Sequence, residues 1–214
     1  QSKICLFDIV LKCEWFTIFE TDEDDPSVFT VPSKIFYKVL STYKPDQCLE
    51  IEINNNDKIN INFLRGSNTC DKCFVMPMVD VDIEFMNMSS TKESDVEIVI
   101  TSKKLAELVS QLEIFDDVLT VSLSENNVLL KSTGDDGSMI AKLSLDDNQL
   151  LEYAIVEDLE LEMSFGLRYV KKMMSFSKLS DNVKIDISSD RPMIISYCLG
   201  NESELKLALA PRIE

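Results

Sequence analysis

Three stretches of the chain follow one plan: an amphipathic helix, an alternating strand, a polar turn and a return strand. Recurrence of a whole supersecondary unit constrains architecture more than any single motif. Such a unit cannot bury its apolar face alone and must pack on its neighbours. The alternating strands are 49–53, 119–123 and 183–187. Each follows a helical stretch opening near Ser33, Ser102 or Ser164, where a serine is available as a cap. Polar turns at 54–57, 124–127 and 188–192 lead into return strands at 59–63, 128–130 and 193–197. Period-two alternation gives each sheet one apolar and one polar face. The expected class is α+β, helices packed on antiparallel sheets in repeated units. The shape of the assembly, not a reacting group, is then expected to carry the function.

Helical periodicity divides each helix into two faces. In the first, Ile35, Phe36, Val39, Leu40 and Tyr43 share an apolar arc, with Lys34 and Lys38 one turn apart on the other side. In the second, Leu105, Leu108, Val109 and Leu112 face inward, and Lys103, Lys104, Glu107, Ser110 and Gln111 face out. The third, read from Phe165, buries Phe165, Tyr169, Val170, Met173 and Phe176 and groups Arg168, Lys171 and Lys172 opposite them. Lysines on one helix's outer face ordinarily mean only solubility. Here they recur on repeated helices in a chain with 38 acidic against 21 basic residues and a net charge of −17. Overall charge of that sign opposes nucleic acid, so an attraction to phosphate must be local. Repeats packed around a centre would gather those outer arcs into one electropositive track.

Other chemistries find little support. The chain has no histidine, which removes the commonest general base and metal ligand. Its five glycines form no phosphate-binding loop. The acidic run 22–25 and the pair Asp80 and Asp82 lack a calcium-loop pattern and read as a solvated loop and a strand face. Cys70 and Cys73 have metal-ligand spacing without the second pair a structural zinc site needs. The six cysteines, at 5, 13, 48, 70, 73 and 198, are irregularly spaced and read as reduced thiols. No run of apolar residues is long enough for a membrane-spanning helix. Residues 4–11 read as a strand lacking the helix that precedes the other alternating strands, so upstream material is expected. Residues 78–93 break the plan and read as a connector, in which Phe85, Met86 and Met88 call for a cover.

Four late segments then occur in order: Ser-Phe-Gly-Leu-Arg-Tyr-Val at 164–170, Leu-Ser-Asp-Asn-Val-Lys-Ile at 179–185, Ser-Asp-Arg-Pro-Met at 189–193, and 205–214, which ends Leu-Ala-Pro-Arg-Ile-Glu. Together they closely resemble the carboxy-terminal half of proliferating cell nuclear antigen, the eukaryotic DNA sliding clamp. Met-Val-Asp-Val-Asp at 78–82 resembles the start of that family's interdomain connecting loop. The resemblance spans the chain and is strongest after residue 95.

The resemblance implies a DNA-clamp fold of two similar domains, 1–77 and 95–214, joined by a connecting loop at 78–94. Three subunits would close head to tail around duplex DNA, with helices lining the hole and sheets outside. The family begins earlier, so roughly 40 residues are expected upstream, about one helix and two strands with their turns. Matched by position, Lys34, Lys38, Lys103, Lys104, Arg168, Lys171 and Lys172 are the implied DNA-facing cations. Their contacts to phosphate would be blind to sequence and sensitive to salt. Glu107 and Ser110 stand where the family usually has basic residues.

The implied pocket for client peptides comprises Ile4, Leu6, Met86, Met88, Pro192, Ala208, Ala210 and Pro211. Ala208 replaces a usual aromatic, the connector lacks the family's Gly-Ile-Pro, and Glu125 replaces a commonly modified lysine. Phe74, Val75 and Met76 are implied to pair with Ile140, Ala141, Lys142 and Leu143 of the next subunit, which would remove two sheet edges. The implied function is a non-enzymatic processivity factor in DNA replication and repair, without cofactor or metal. Its implied partners are double-stranded DNA, polymerase, repair proteins and a clamp loader, as a homotrimer with no membrane. The implied location is the nucleus, or the cytoplasm for a viral member. Two other readings stay open: a subunit of a heterotrimeric DNA-damage checkpoint clamp, and a metal-dependent phosphoryl-cleaving enzyme using Asp22, Asp24, Asp80 or Asp82.

Overall fold

The repeated plan is present in the computed structural model, which describes residues 5–21, 29–54, 58–68, 70–79, 93–146 and 149–212. The strands are β1 (Cys5–Val10), β2 (Cys48–Asn54), β3 (Lys58–Leu64), β4 (Lys72–Pro77), β5 (Val96–Thr101), β6 (Val118–Ser124), β7 (Asn127–Gly134), β8 (Gly137–Leu143), β9 (Glu152–Ile155), β10 (Leu161–Gly166), β11 (Asn182–Ile187), β12 (Met193–Gly200) and β13 (Ser203–Leu209). The α-helices are α1 (Ser33–Leu40), α2 (Ser102–Leu112) and α3 (Leu167–Met174). The three expected copies are α1–β2–β3, α2–β6–β7 and α3–β11–β12, and each hairpin gains a further antiparallel strand, β4, β8 or β13.

The chain divides into two compact units, Gln1–Ile18 with Asn87–Glu214, and Phe19–Met86. In the larger unit, β5–α2–β6–β7–β8 and β10–α3–β11–β12–β13 are two copies of one strand–helix–three-strand plan. Each copy lends its first strand to the other's sheet: β5 pairs with β11, and β10 pairs with β6. The result is a sheet ordered β1-β13-β12-β11-β5-β9 and a sheet ordered β10-β6-β7-β8. No loop separates β5 from α2 or β10 from α3, so neither helix has room for a preceding cap turn. Thr101 and Gly166 hold the cap positions and no side chain caps either helix. Instead the first N–H of α2, on Ser102, donates to the Asp181 carbonyl at 2.8 Å, and that of α3, on Leu167, donates to the Asp117 carbonyl at 2.8 Å. Each helix start is thus satisfied by the segment entering the other copy's hairpin. None of the serine caps expected at Ser33, Ser102 and Ser164 is formed: Pro32 holds the cap position of α1, and Ser164 lies within β10.

Two positions differ from the sequence reading. The third helix begins at Leu167, and Phe165 is a buried strand residue opposite Leu119 of β6. The segment expected to open the first domain, β1, joins the larger unit, because the free edge of β13 takes up its backbone groups from Cys5↔Leu209 to Val10↔Glu204. β1 thus clusters with the larger unit and not with Phe19–Met86.

The core of the larger unit lies between its helices and sheets. Leu105, Val109 and Leu112 of α2 and Leu167, Val170, Met173 and Met174 of α3 pack with the inward rows of the strands. Tyr197 is fully buried there and its hydroxyl donates to the Met173 carbonyl at 3.2 Å. Burial pushes its phenol up to about 12. In the smaller unit, Val39 of α1 packs with Ile59, Ile61 and Phe63 of β3 and Met76 of β4. Phe36 and Leu40 flank this core as expected, whereas Ile35 and Tyr43, placed on the same apolar arc by periodicity, are exposed. Tyr43 lies beyond the helix end, where its hydroxyl donates to the Gln47 carbonyl and its ring meets Phe63 edge-on.

Candidate functional site

The helix α3 is sharply two-sided. Leu167, Val170, Met173 and Met174 are in the core, and Arg168, Lys171 and Lys172 are exposed. Spacings of three and four residues bring those three cations onto one face, and α3 carries no acidic residue. Tyr169 organises the face. The Arg168 guanidinium carbon lies 4.6 Å from the Tyr169 ring centroid, and its Nη2 donates to the Tyr169 hydroxyl at 2.7 Å. Lys172 Nζ is 6.0 Å from the same centroid. Such contacts hold a cation in place without neutralising it. The absence of a side chain at Gly166 makes room for the Tyr169 ring, since a Cβ there would meet its Cδ2 at 3.0 Å. Lys171 differs, because its ammonium is ion-paired with Glu113, the residue that closes α2.

The outer face of α2, which packs beside α3, is closer to neutral. Lys103 is exposed and Lys104 half-buried, but Glu107 is exposed on the same helix with Ser110 and Gln111. In the smaller unit Lys34 and Lys38 are both exposed on α1, away from Val39. All seven expected cations therefore lie on helices, six of them exposed, with the strongest concentration on α3.

A second feature occupies the outward face of the six-stranded sheet. Register places Leu6 opposite Ala208, Ala208 opposite Ile194, Ile194 opposite Asp186, and Asp186 opposite Glu97. The first three are half-buried and form an apolar strip. Lys184 closes its far end by bonding both Glu97 and Asp186 at 3.1 Å. Partial burial disfavours the Lys184 ammonium, but the two carboxylates outweigh it and hold its pKa above the ordinary lysine value.

Ala210 and Pro211 continue from β13. The tail is fastened where the Arg212 N–H donates to the Ser164 carbonyl at 2.7 Å, and its guanidinium meets Asp117 at 3.3 Å. Pro192 precedes Met193, which pairs with Leu209, so Pro192 and Ala210 fall at the same end of the sheet. Its turn is fastened by Arg191, which donates to the Glu93 carbonyl and to Ser188 Oγ, each at 2.7 Å, and by the Ser189 N–H, which donates to Asp95 Oδ2 at 3.0 Å. Leu6, Pro192, Ala208, Ala210 and Pro211 thus belong to one face and end of one sheet. Ile4, Met86 and Met88 lie outside the described residues. Ile194 was missed by the sequence reading. Its signal was the outward phase of the alternation in β12, one residue out of step with buried Met193 and Ile195.

The third feature is a pair of sheet edges. β4 ends the sheet β2-β3-β4, and β8 ends the sheet β10-β6-β7-β8. Val75 on β4 is 57% exposed and Ile140 on β8 is 60% exposed. Met76 and Leu143 are buried in their own sheets, Phe74 and Ala141 are half-buried, and Lys142 is exposed. Glu125 accepts a bond from the Asp158 N–H at 3.1 Å in the β6–β7 turn region. The six cysteines are free and exposed. Among the described residues no three His, Cys, Asp or Glu side chains gather as a metal site. Asp22, Asp24, Asp80 and Asp82 lie outside the described residues.

Two interlocked strand–helix–three-strand copies, with helices on one side and sheets on the other, define the DNA-clamp class of α+β fold. The family described as "Proliferating cell nuclear antigen, C-terminal domain" matches residues 90–212, more than half of the chain, and the chain belongs to that family. Over its whole length the chain is 24% identical to the DNA polymerase sliding clamp 1 of Thermococcus kodakarensis. It is 25% identical to the DNA polymerase sliding clamps of Pyrococcus horikoshii and Pyrococcus abyssi. It spans 82% of the length of each of these relatives.

Proposed function

We propose that the chain is a DNA sliding clamp, a non-enzymatic processivity factor that holds replication and repair proteins on duplex DNA. The observation that carries this reading is α3, which presents three exposed cations and has no acidic residue of its own in a chain of net charge −17. A clamp needs that contrast. Weak phosphate contacts that ignore sequence let it slide, while an acidic exterior repels the backbone elsewhere. Arg168, Lys172, Lys103 and Lys104 serve this role in the larger unit, with Lys171, which is ion-paired with Glu113, beside them, and Lys34 and Lys38 serve it in the smaller.

On this reading the chain assembles as a homotrimer by pairing β4 of one subunit with β8 of the next. The internal pairing of β1 with β13 supports it. β13 follows α3–β11–β12 as β4 follows α1–β2–β3, and β13 carries a partner strand along the edge that β4 leaves open. Pairing would satisfy both rows of backbone groups and cover Val75 and Ile140. The strip Leu6–Ala208–Ile194, with Pro192, Ala210 and Pro211 at its end, receives the apolar plug of client peptides from polymerases and repair proteins. A clamp loader would open and close the ring. Light scattering on the wild-type chain at micromolar concentration tests the assembly. The expected mass is that of three chains, and the mass of one chain would overturn it.

A further inference from the structure

We propose that Glu113 restrains the DNA track: by ion-pairing with Lys171 it withholds one of the three α3 cations from the phosphates. Phosphate attraction at this helix then rests on Arg168 and Lys172. The inference depends on the reading of the α3 face as the DNA-facing surface, and the experiment below separates the two.

The three cations differ in what holds them. Arg168 is fixed by a neutral partner, since its guanidinium stacks on Tyr169 and spends one N–H on the hydroxyl. Its charge and its remaining donors are free for an anion. Lys172 lies near the same ring and makes no ion pair among the described residues. Lys171 alone meets a carboxylate. That carboxylate comes from a residue 58 positions away in sequence, brought to α3 by the packing of α2. The lysine side chain is 53% exposed and the glutamate 34% exposed, so the pair is open to solvent and to a competing phosphate. It is therefore a reversible restraint, which weakens the track without closing it. Glu107 on α2 acts in the same sense, but no bond joins it to an α3 cation among the described residues. A clamp gains from such tuning because every added phosphate contact slows its travel.

The test uses the full chain as wild type, Glu113→Gln, Glu113→Ala, Lys171→Ala, Lys172→Ala, and the pair Glu113→Gln with Lys171→Ala. Binding to a short fluorescein-labelled duplex is followed by anisotropy over a salt series, with thermal denaturation as a check of fold. Each added phosphate contact steepens the dependence of log K on log salt by about 0.9. Glu113→Gln is expected to bind more tightly at low salt with that steeper slope. Its advantage over wild type should shrink about threefold for each fourfold rise in salt. Glu113→Ala should behave likewise, so a folding defect in one variant leaves the other to decide. Lys171→Ala is expected to change little in the wild-type background and to abolish the gain in the Glu113→Gln background. A wild-type slope in both Glu113 variants overturns the proposal. So does a gain that survives Lys171→Ala, which would mark the effect as simple loss of negative charge. Lys172→Ala with an unchanged slope would instead overturn the reading of α3 as DNA-facing.

Discussion

Gly134→Ala should destabilise the fold through one close approach. Gly134 ends β7, and a Cβ built there would lie 2.0 Å from the Phe115 carbonyl oxygen and 3.1 Å from its carbonyl carbon. Both are backbone atoms of the turn that follows α2, so no rotamer change can relieve the clash. Either the β7–β8 hairpin or the turn must move by on the order of 1 Å in a region packed at crystal-like density. Overpacking of this kind costs about 1–3 kcal/mol. For a chain of this size each kcal/mol lowers Tm by about 2–4 °C, so Gly134→Ala should lose about 2–12 °C. Thermal denaturation followed by circular dichroism measures it. Gly200→Ala is the control. Gly200 has φ +83° and open space around its Cβ, so its loss reflects backbone strain alone. A Gly134→Ala variant within about 1 °C of wild type would refute the tight approach of the hairpin to Phe115.

Three further outcomes are expected. Ile194→Ala combined with Pro211→Ala should weaken a hydrophobic client peptide about tenfold by calorimetry, since removing most of one buried aliphatic side chain costs about 1–2 kcal/mol; unchanged affinity would remove the strip from the pocket. Stability measured by urea unfolding should fall as pH rises from 10 toward about 12, because the buried Tyr197 phenol keeps its proton in the folded chain while the unfolded chain loses it near 10. Tyr197 should contribute roughly 2–3 kcal/mol of this loss, which Tyr197→Phe should remove, while the raised pKa values of Lys184 and Tyr153 leave a residual fall. Ile140→Asp should give single chains by light scattering with a Tm close to that of a wild-type single chain, because Ile140 is exposed within its own sheet.

Local pattern revealed the elements whose faces are decided locally. The alternation of β6 and β11 and the apolar arcs of α2 and α3 are legible because a single neighbouring layer covers them; β2 alternates as well, but its Leu49, Ile51 and Ile53 are exposed. Pairings across long separations left no such trace. Residues of β10 alternate, but Phe165 is buried under either a strand or a helical period, so helical periodicity extends two residues ahead of the true start of α3 at Leu167. β1 reads as a strand from its own residues, yet only the free edge of β13 decides which sheet it joins. The exchange of β5 and β10 between the two copies was illegible for the same reason. On the surface, helical spacing placed Arg168, Lys171 and Lys172 together, while the Glu113 partner of Lys171 depended on how α2 packs on α3. Leu6, Pro192, Ala208, Ala210 and Pro211 came from family resemblance, and Ile194 emerged only with the register of β12 against β13.

The central claim, attachment by topology rather than by affinity, is tested most directly by retention on circular DNA. The wild-type chain would be loaded onto a nicked circular duplex, isolated by gel filtration, and the circle then cut at one site. The expected result is that protein stays with the closed circle at moderate salt and leaves once the DNA has ends. Equal retention before and after cutting, or none on the closed circle, would contradict the claim.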